Sequence, residues 1–225
     1  MQKLVDYLLS VDKSWLVTWI LIYIGFLMAD AVTPGAWYVT LLKYSGIFLC
    51  LVYGIQKYRK DISLELALLF TLLADTILVI DSTSIIGVFV FCLAQFFHLA
   101  RFRNIPPATL APYILVVIVI FFFGVQNGII PMFTIAFIYG MTLILNLILA
   151  QKWHRQAPSA QSLCAAAGFS LFLCCDICVA CSYLSLIGTL PPFIYPIANY
   201  FSWFFYYPSQ VLISNSSKQL ISASC

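Results

Sequence analysis

The sequence predicts an all-α fold: a polytopic membrane protein with eight transmembrane helices. Composition is the first reason. Of 225 residues, 63% are hydrophobic and 8% are charged, where a soluble domain carries about a quarter charged residues. Second, the apolar runs approach the ~20 helical residues that cross a bilayer, and the alternating pattern of barrel strands is absent. Third, lysine and arginine fall on one side of an eight-span arrangement while the opposite connections hold none. That is the pattern expected when the basic side is cytoplasmic.

Span one covers residues 14–30 and follows Lys3 and Lys13. Ahead of it, residues 2–10 (QKLVDYLLS) set Leu4, Val5, Leu8 and Leu9 on one side, as a short interfacial helix would. Ala29-Asp30-Ala31 loosely imitates a signal-peptide cleavage site. The apolar stretch before it is longer than a signal core, so it reads as a span; cleavage there would leave seven. Pro34-Gly35 separates span two, 36–55, and Lys57, Arg59 and Lys60 follow it. Span three is 64–80, closed by Asp81-Ser-Thr-Ser, and span four is 84–102, with Arg101 and Arg103 at its end. Pro106-Pro107 leads to span five, 111–127, and Gln126-Asn-Gly with Pro131 leads to span six, 131–150. Lys152, Arg155 and Pro158 precede span seven, 161–184; Pro191-Pro192 precedes span eight, 194–214; Lys218 follows. The chain thus reads as a single transmembrane helical domain, 1–225. It has a short cytoplasmic N-terminal segment and a polar C-terminal tail, SNSSKQLISASC, expected to be mobile. Both termini are expected in the cytoplasm. A bacterial inner membrane is the preferred location and a eukaryotic endomembrane the alternative. Nothing in the sequence speaks to oligomeric state.

A formal charge of +3 without a basic, aromatic-interleaved stripe argues against nucleic acid as a partner. Eight cysteines suggest metal at first sight. Cys175, Cys178 and Cys181, beside Cys174, recur along one span, yet zinc needs four converging ligands and these diverge around a helix axis. They read as small apolar packing residues, and no metal site is expected.

Two aspartates carry the functional reading. Asp75 and Asp176 lie inside apolar spans three and seven, where a carboxylate costs several kcal/mol and usually marks a site. Lys43 is a third buried ionisable group, on span two. At 1.5 Å per residue all three lie roughly 8–12 Å below the outer face, so they are expected to share one cavity. Thr71, one turn from Asp75, is expected to hydrogen-bond it. Tyr139 and Asn199 fall in the same outer half. Deeper, Gly87, Phe91, Gln95 and His98 line one face of span four, with Asn146 on span six and Tyr206, Tyr207 and Gln210 on span eight. Taken singly, each Asn, Gln or Tyr is more readily explained by interhelical hydrogen bonding, and His98, close to the interface, is as readily explained by hydration. Lys43 is expected to approach one aspartate or a substrate phosphate; the plainer reading is snorkelling. Two buried carboxylates can split roles, one neutral and donating a proton, the other ionised and stabilising a cation. A nucleophilic triad is not supported: the histidines are only His98 and His154, and no GxSxG elbow is present.

These segments resemble a known family. LLFTLLADTILVIDSTSIIGVFVFCLAQFFHLARF is similar to the stretch of YhhN-type membrane proteins where a Gly-Asp helix precedes a Gly-x3-Phe-x3-His-x2-Tyr helix. GFSLFLCCDICVACSYL resembles their GA-x-x-F-x-x-SD helix, FFYYPSQVLI their closing YY-x-x-Q-x-LI, and Lys43 the lysine of a Lys-Pro in the second helix. The resemblance implies a lysoplasmalogenase. These are eight-helix membrane hydrolases that cleave the vinyl ether of a lysoplasmalogen to a fatty aldehyde and a glycerophospho-headgroup alcohol. By the same resemblance Asp75 and Asp176 are the catalytic pair. Lys43, Gln95, His98, Tyr139, Asn199, Tyr207 and Gln210 are the expected substrate-binding residues, with no cofactor. Ala74, Cys175 and Tyr44 depart from the family's Gly, Ser and Pro. Gln95 takes the family's His position and His98 its Tyr position. The alternatives are a small-solute or proton-coupled transporter, an ester-cleaving lysophospholipase, or a lipid-binding scaffold. No inverted repeat or pair of broken helices favours transport.

Overall fold

A computed structural model describes residues 13–58, 61–102, 105, 107–127 and 131–217. Among them are eight helices and no strand: α1 Lys13–Val32, α2 Trp37–Lys57, α3 Ile62–Ile80, α4 Ile85–Ala100, α5 Pro107–Gln126, α6 Pro131–Gln156, α7 Ala160–Leu186 and α8 Ile194–Ser214. They correspond one to one with the eight expected spans, and the protein is an all-helical polytopic membrane protein. The expected interfacial helix at residues 2–10 lies outside the described residues.

Six of the helices are long and apolar enough to cross a membrane; α4 and α8 are not among them. α4 has 16 residues, about 24 Å of helix against ~30 Å of hydrocarbon. α8 has 21 residues but carries Asn199, Ser202, Pro208, Ser209 and Gln210. α6 runs six residues past the expected span, through Gln151–Gln156, because this polar stretch continues the helix beyond its apolar part.

The chain divides into two compact units, each built from local helix pairs. The first comprises residues 1–53 and 150–216. In it α7 packs on α8, and α1 packs on α8. Gly168 lets the α7 and α8 backbones close up: a Cβ there would sit 3.1 Å from the Ile213 nitrogen and 3.2 Å from the Ser209 carbonyl oxygen. Small residues serve membrane helices in this way because lipid offers no hydrophobic drive for association, leaving close packing to provide it. Trp15, Trp19 and Tyr53 form one aromatic cluster, with Trp19 and Tyr53 4.8 Å apart. Pro208 interrupts α8. Proline has no N–H, so the carbonyl of Phe204 loses its helical donor, and the Tyr23 hydroxyl of α1 donates to it at 2.9 Å. A helix defect is thus repaired by the neighbouring helix, as lipid burial demands.

The second unit comprises residues 54–149 and 217–225. Here α3 packs on α4, and Phe70 stacks on Phe97 at 5.1 Å. Asp61 caps α3, accepting from the Leu64 N–H at 3.1 Å. α5 buries only Gly124 among its residues, so its apolar surface faces outward, as a lipid-contacting helix requires.

The tail differs from expectation where it is described. Ser214, Asn215, Ser216 and Ser217 are all buried. Their side chains have specific partners: Tyr53 donates to the Asn215 side chain at 2.7 Å, Ser216 donates to the Ile213 carbonyl, and Ser217 donates to Asp61 at 2.9 Å. Polar composition alone suggests a loose tail; hydrogen bonds to helix ends hold these residues in place instead. Residues 218–225 lie outside the described region.

Candidate active site

In the second unit the polar side chains are set by α3, α4 and α6. Asp75 is 7% exposed on α3, five residues before the helix end and so about 8 Å inside it. Its neighbour Thr71 is fully buried, but the hydroxyl meets no protein partner, so the expected hydrogen bond to Asp75 is not made. The expected face of α4 is the buried one: Gly87, Phe91, Gln95 and His98 all lie within. Asn146 on α6 donates one amide to both the Gln95 backbone carbonyl and its side-chain oxygen, each at 2.9 Å. The remaining amide atoms, Gln95 Nε2 and Asn146 Oδ1, are buried without a protein partner. Buried polar atoms nearly always find a partner, so these are atoms available to a bound molecule's polar groups. His98 Nδ1 lies 3.4 Å from the Arg101 guanidinium, and Arg101 Nε lies 3.9 Å from Asp61. Tyr139 is half-buried, its ring 5.9 Å from that of Phe91.

In the first unit the other half of the expected residues is found. Asp176 is half-buried on α7, next to the buried Cys175. Gln210 on α8 is fully buried, and neither its amide nitrogen nor its oxygen meets a protein partner. Tyr207 is 2% exposed. Its hydroxyl donates to the Trp19 carbonyl at 3.2 Å, and its ring stacks on Tyr23. Asn199 is exposed, and its carbonyl accepts from Ser202. Cys174 is exposed, Cys175 buried, and Cys178 and Cys181 half-buried, so these thiols spread around α7. The described cysteines are free, and no group of three His, Cys, Asp or Glu among the described residues is arranged to hold a metal.

The carboxylate partner of Lys43 is neither Asp75 nor Asp176 but Asp30. The Lys43 ammonium donates to Asp30 on α1 at 2.7 Å, and both residues are buried. The ammonium lies 5.0 Å from the centre of the Trp203 ring and 6.0 Å from that of Phe26. Asp30 ends the expected first span, inside the cleavage-like tripeptide; in the structure it lies in the last turn of a packed helix. A signal for it exists in the chain. Folding the α1–α2 hairpin about Pro34-Gly35 sets Asp30 opposite Val39, one turn before Lys43. Helical side chains lean toward the helix N-terminus, which for Lys43 is the hairpin end.

A model of the YhhN family matches residues 38–217. The matched stretch contains Lys43, Asp75, Gln95, His98, Tyr139, Asp176, Asn199, Tyr207 and Gln210, and leaves out α1 with Asp30. No curated protein and no solved structure matches the chain.

Proposed function

The chain belongs to the YhhN family, the membrane-associated lysoplasmalogenase family, and on that premise we propose that it hydrolyses the vinyl ether bond of a lysoplasmalogen. The single observation that supports the chemistry is Asp75, a carboxyl buried to 7% exposure in the apolar helix α3 and lying within the matched stretch. A vinyl ether is opened by placing a proton on its β-carbon, which leaves an oxocarbenium ion. Carbon is a reluctant base, so the donor must be a positioned acid that stays neutral until it reacts. In this reading one aspartate of Asp75 and Asp176 protonates carbon, while the other, ionised, stabilises the cation and takes a proton from water. Water adds to the cation to give a hemiacetal. The hemiacetal collapses to a fatty aldehyde and the glycerophospho-headgroup alcohol. Every atom comes from lipid and water, so the scheme calls on no metal or organic cofactor. In this reading the Gln95 and Asn146 amides are buried donors and acceptors for the glycerol oxygens.

The test is product analysis on purified protein. A lysoplasmalogen, the matched saturated ether lipid and the matched ester lysolipid are incubated separately. Aldehyde from the vinyl ether lipid alone is expected. Fatty acid released from the ester would identify a lysophospholipase instead, and absence of any product would return the transporter reading to the front.

A further inference from the structure

We infer that Asp30, Trp203 and Phe26 form a receptor for a primary ammonium group, occupied at rest by the protein's own Lys43, and that a lipid headgroup's ammonium displaces it. The inference rests on the vinyl ether reading for the identity of the lipid. Asp30 has no part in the chemistry above and lies outside the family-matched stretch, yet it is held at 6% exposure in an apolar helix. A charge so placed is costly, and pairing offsets that cost only in part. What the pair builds is a binding geometry. A carboxylate oxygen stands 2.7 Å from the Lys43 nitrogen, with an indole ring at 5.0 Å and a phenyl ring at 6.0 Å. A charge-assisted acceptor combined with aromatic faces is the chemistry that binds alkylammonium ions. Lys43 is itself an alkylammonium on a four-carbon stem, so the site is seen holding one.

Its level in the helices fits a headgroup. Asp30 is two residues from the end of α1, about 3 Å of helix, which is where phospholipid headgroups meet the hydrocarbon. A headgroup carrying both phosphate and ammonium satisfies both halves of the opened pair. Its ammonium takes Asp30 and Trp203, and its phosphate takes the released Lys43. One ion pair is exchanged for two, so no buried charge is left alone. A headgroup with phosphate but no ammonium frees Lys43 and strands Asp30, which is unfavourable. A trimethylammonium group has no N–H and cannot make the short hydrogen bond that Lys43 makes. The site therefore selects phosphoethanolamine over phosphocholine, and both over phosphoglycerol.

Two measurements test this. In the first, binding of saturated lysophosphatidylethanolamine, lysophosphatidylcholine and lysophosphatidylglycerol to the purified wild-type protein is followed by native mass spectrometry. These lipids have no vinyl ether, so the result stands whether or not the protein is a lysoplasmalogenase. The ethanolamine lipid is expected to bind about tenfold tighter than the glycerol lipid, the weight of one charge-assisted hydrogen bond. Equal binding of all three overturns the inference. In the second, Asp30→Asn and Asp30→Glu are compared on vinyl ether lipids with the same three headgroups. Asp30→Asn is expected to erase the ethanolamine preference through KM, and Asp30→Glu to retain it. A folded Asp30→Asn protein with the wild-type ratio of kcat/KM across headgroups shows that the pair only ties α1 to α2. Absence of turnover on every vinyl ether lipid sinks the proposed reaction and leaves the binding result to judge the receptor.

Discussion

Gly46 shows how closely one side chain is fitted. A Cβ there would lie 1.9 Å from the Tyr207 ring, so α2 accepts the tyrosine only because residue 46 has no side chain. Gly46→Ala is expected to lower stability by about 1–3 kcal/mol, the usual cost of overpacking, seen as a lower Tm in detergent. Tyr207→Leu in the Gly46→Ala background should recover part of the loss. The catalytic aspartates are tested by a substitution that keeps shape and removes the titrating proton. Asp75→Asn and Asp176→Asn are each expected to reduce kcat by at least ~10²-fold, the lower range for general acid–base loss. A well-folded Asp75→Asn protein with normal turnover would refute the assignment. At this scale the sequence was informative about which residues are costly to bury. Asp75, Lys43, Gln95, His98, Tyr207 and Gln210 were all named from pattern, and all are buried. It was uninformative about pairing. Asp30 and Lys43 are 13 residues apart on different helices, and local periodicity carries no record of a contact between helices. Thr71 erred the other way: one-turn spacing puts it beside Asp75 but cannot decide whether its hydroxyl turns toward the carboxylate.

Helix ends illustrate the next scale. Asp61 caps α3 through one oxygen and accepts from Ser217 through the other. Asp61→Ala should destabilise by roughly 1 kcal/mol for the cap alone, and further because Ser217 loses its acceptor. Asp61→Asn retains a cap while removing the charge near Arg101, so comparing their Tm values separates the two contributions. At the other end of α3, Asp81 is exposed, and the Thr83 backbone and hydroxyl both donate to it. These bonds hold its carboxyl below the ordinary range. A depressed carboxyl contributes stability above its unfolded pKa and loses it as pH falls through the folded one. The protection of the Thr83 amide, taken as its exchange rate relative to the intrinsic rate at each pH, is therefore expected to fall on acidification through the ordinary carboxylate range and below it. Asp81→Asn should flatten that response. Helix positions were legible because apolar runs bounded by proline, glycine and aspartate leave few alternatives. Helix lengths were less so. α6 continues through a polar, basic stretch that hydropathy treats as loop, and α3 begins two residues early because Asp61 caps it.

Across the whole molecule, the one-sided placement of lysine and arginine makes a claim that no helix boundary can test. With both termini cytoplasmic, a reporter fused after residue 225 should read as cytoplasmic, and a single cysteine introduced at Ser82 should label from the opposite side. Activity is expected to survive chelation, because the proposed chemistry uses carboxyl groups alone; recovery that depends on added metal would revive a thiolate or mixed-ligand site. The buried tail residues carry a consequence for how the chain is made. Ser217 and Asp61 are 156 residues apart, and Asn215 and Tyr53 are 162 apart. Synthesis runs from the N-terminus, so Asp61 and Tyr53 are in place while their partners are still untranslated. Until the end of α8 is made, Asp61 lacks the Ser217 donor and Tyr53 lacks the Asn215 acceptor. Residues 215–217 act as a clasp that fastens only after all eight helices have been made. A stop codon at Asn215 would leave all eight helices in the chain and remove both of these contacts.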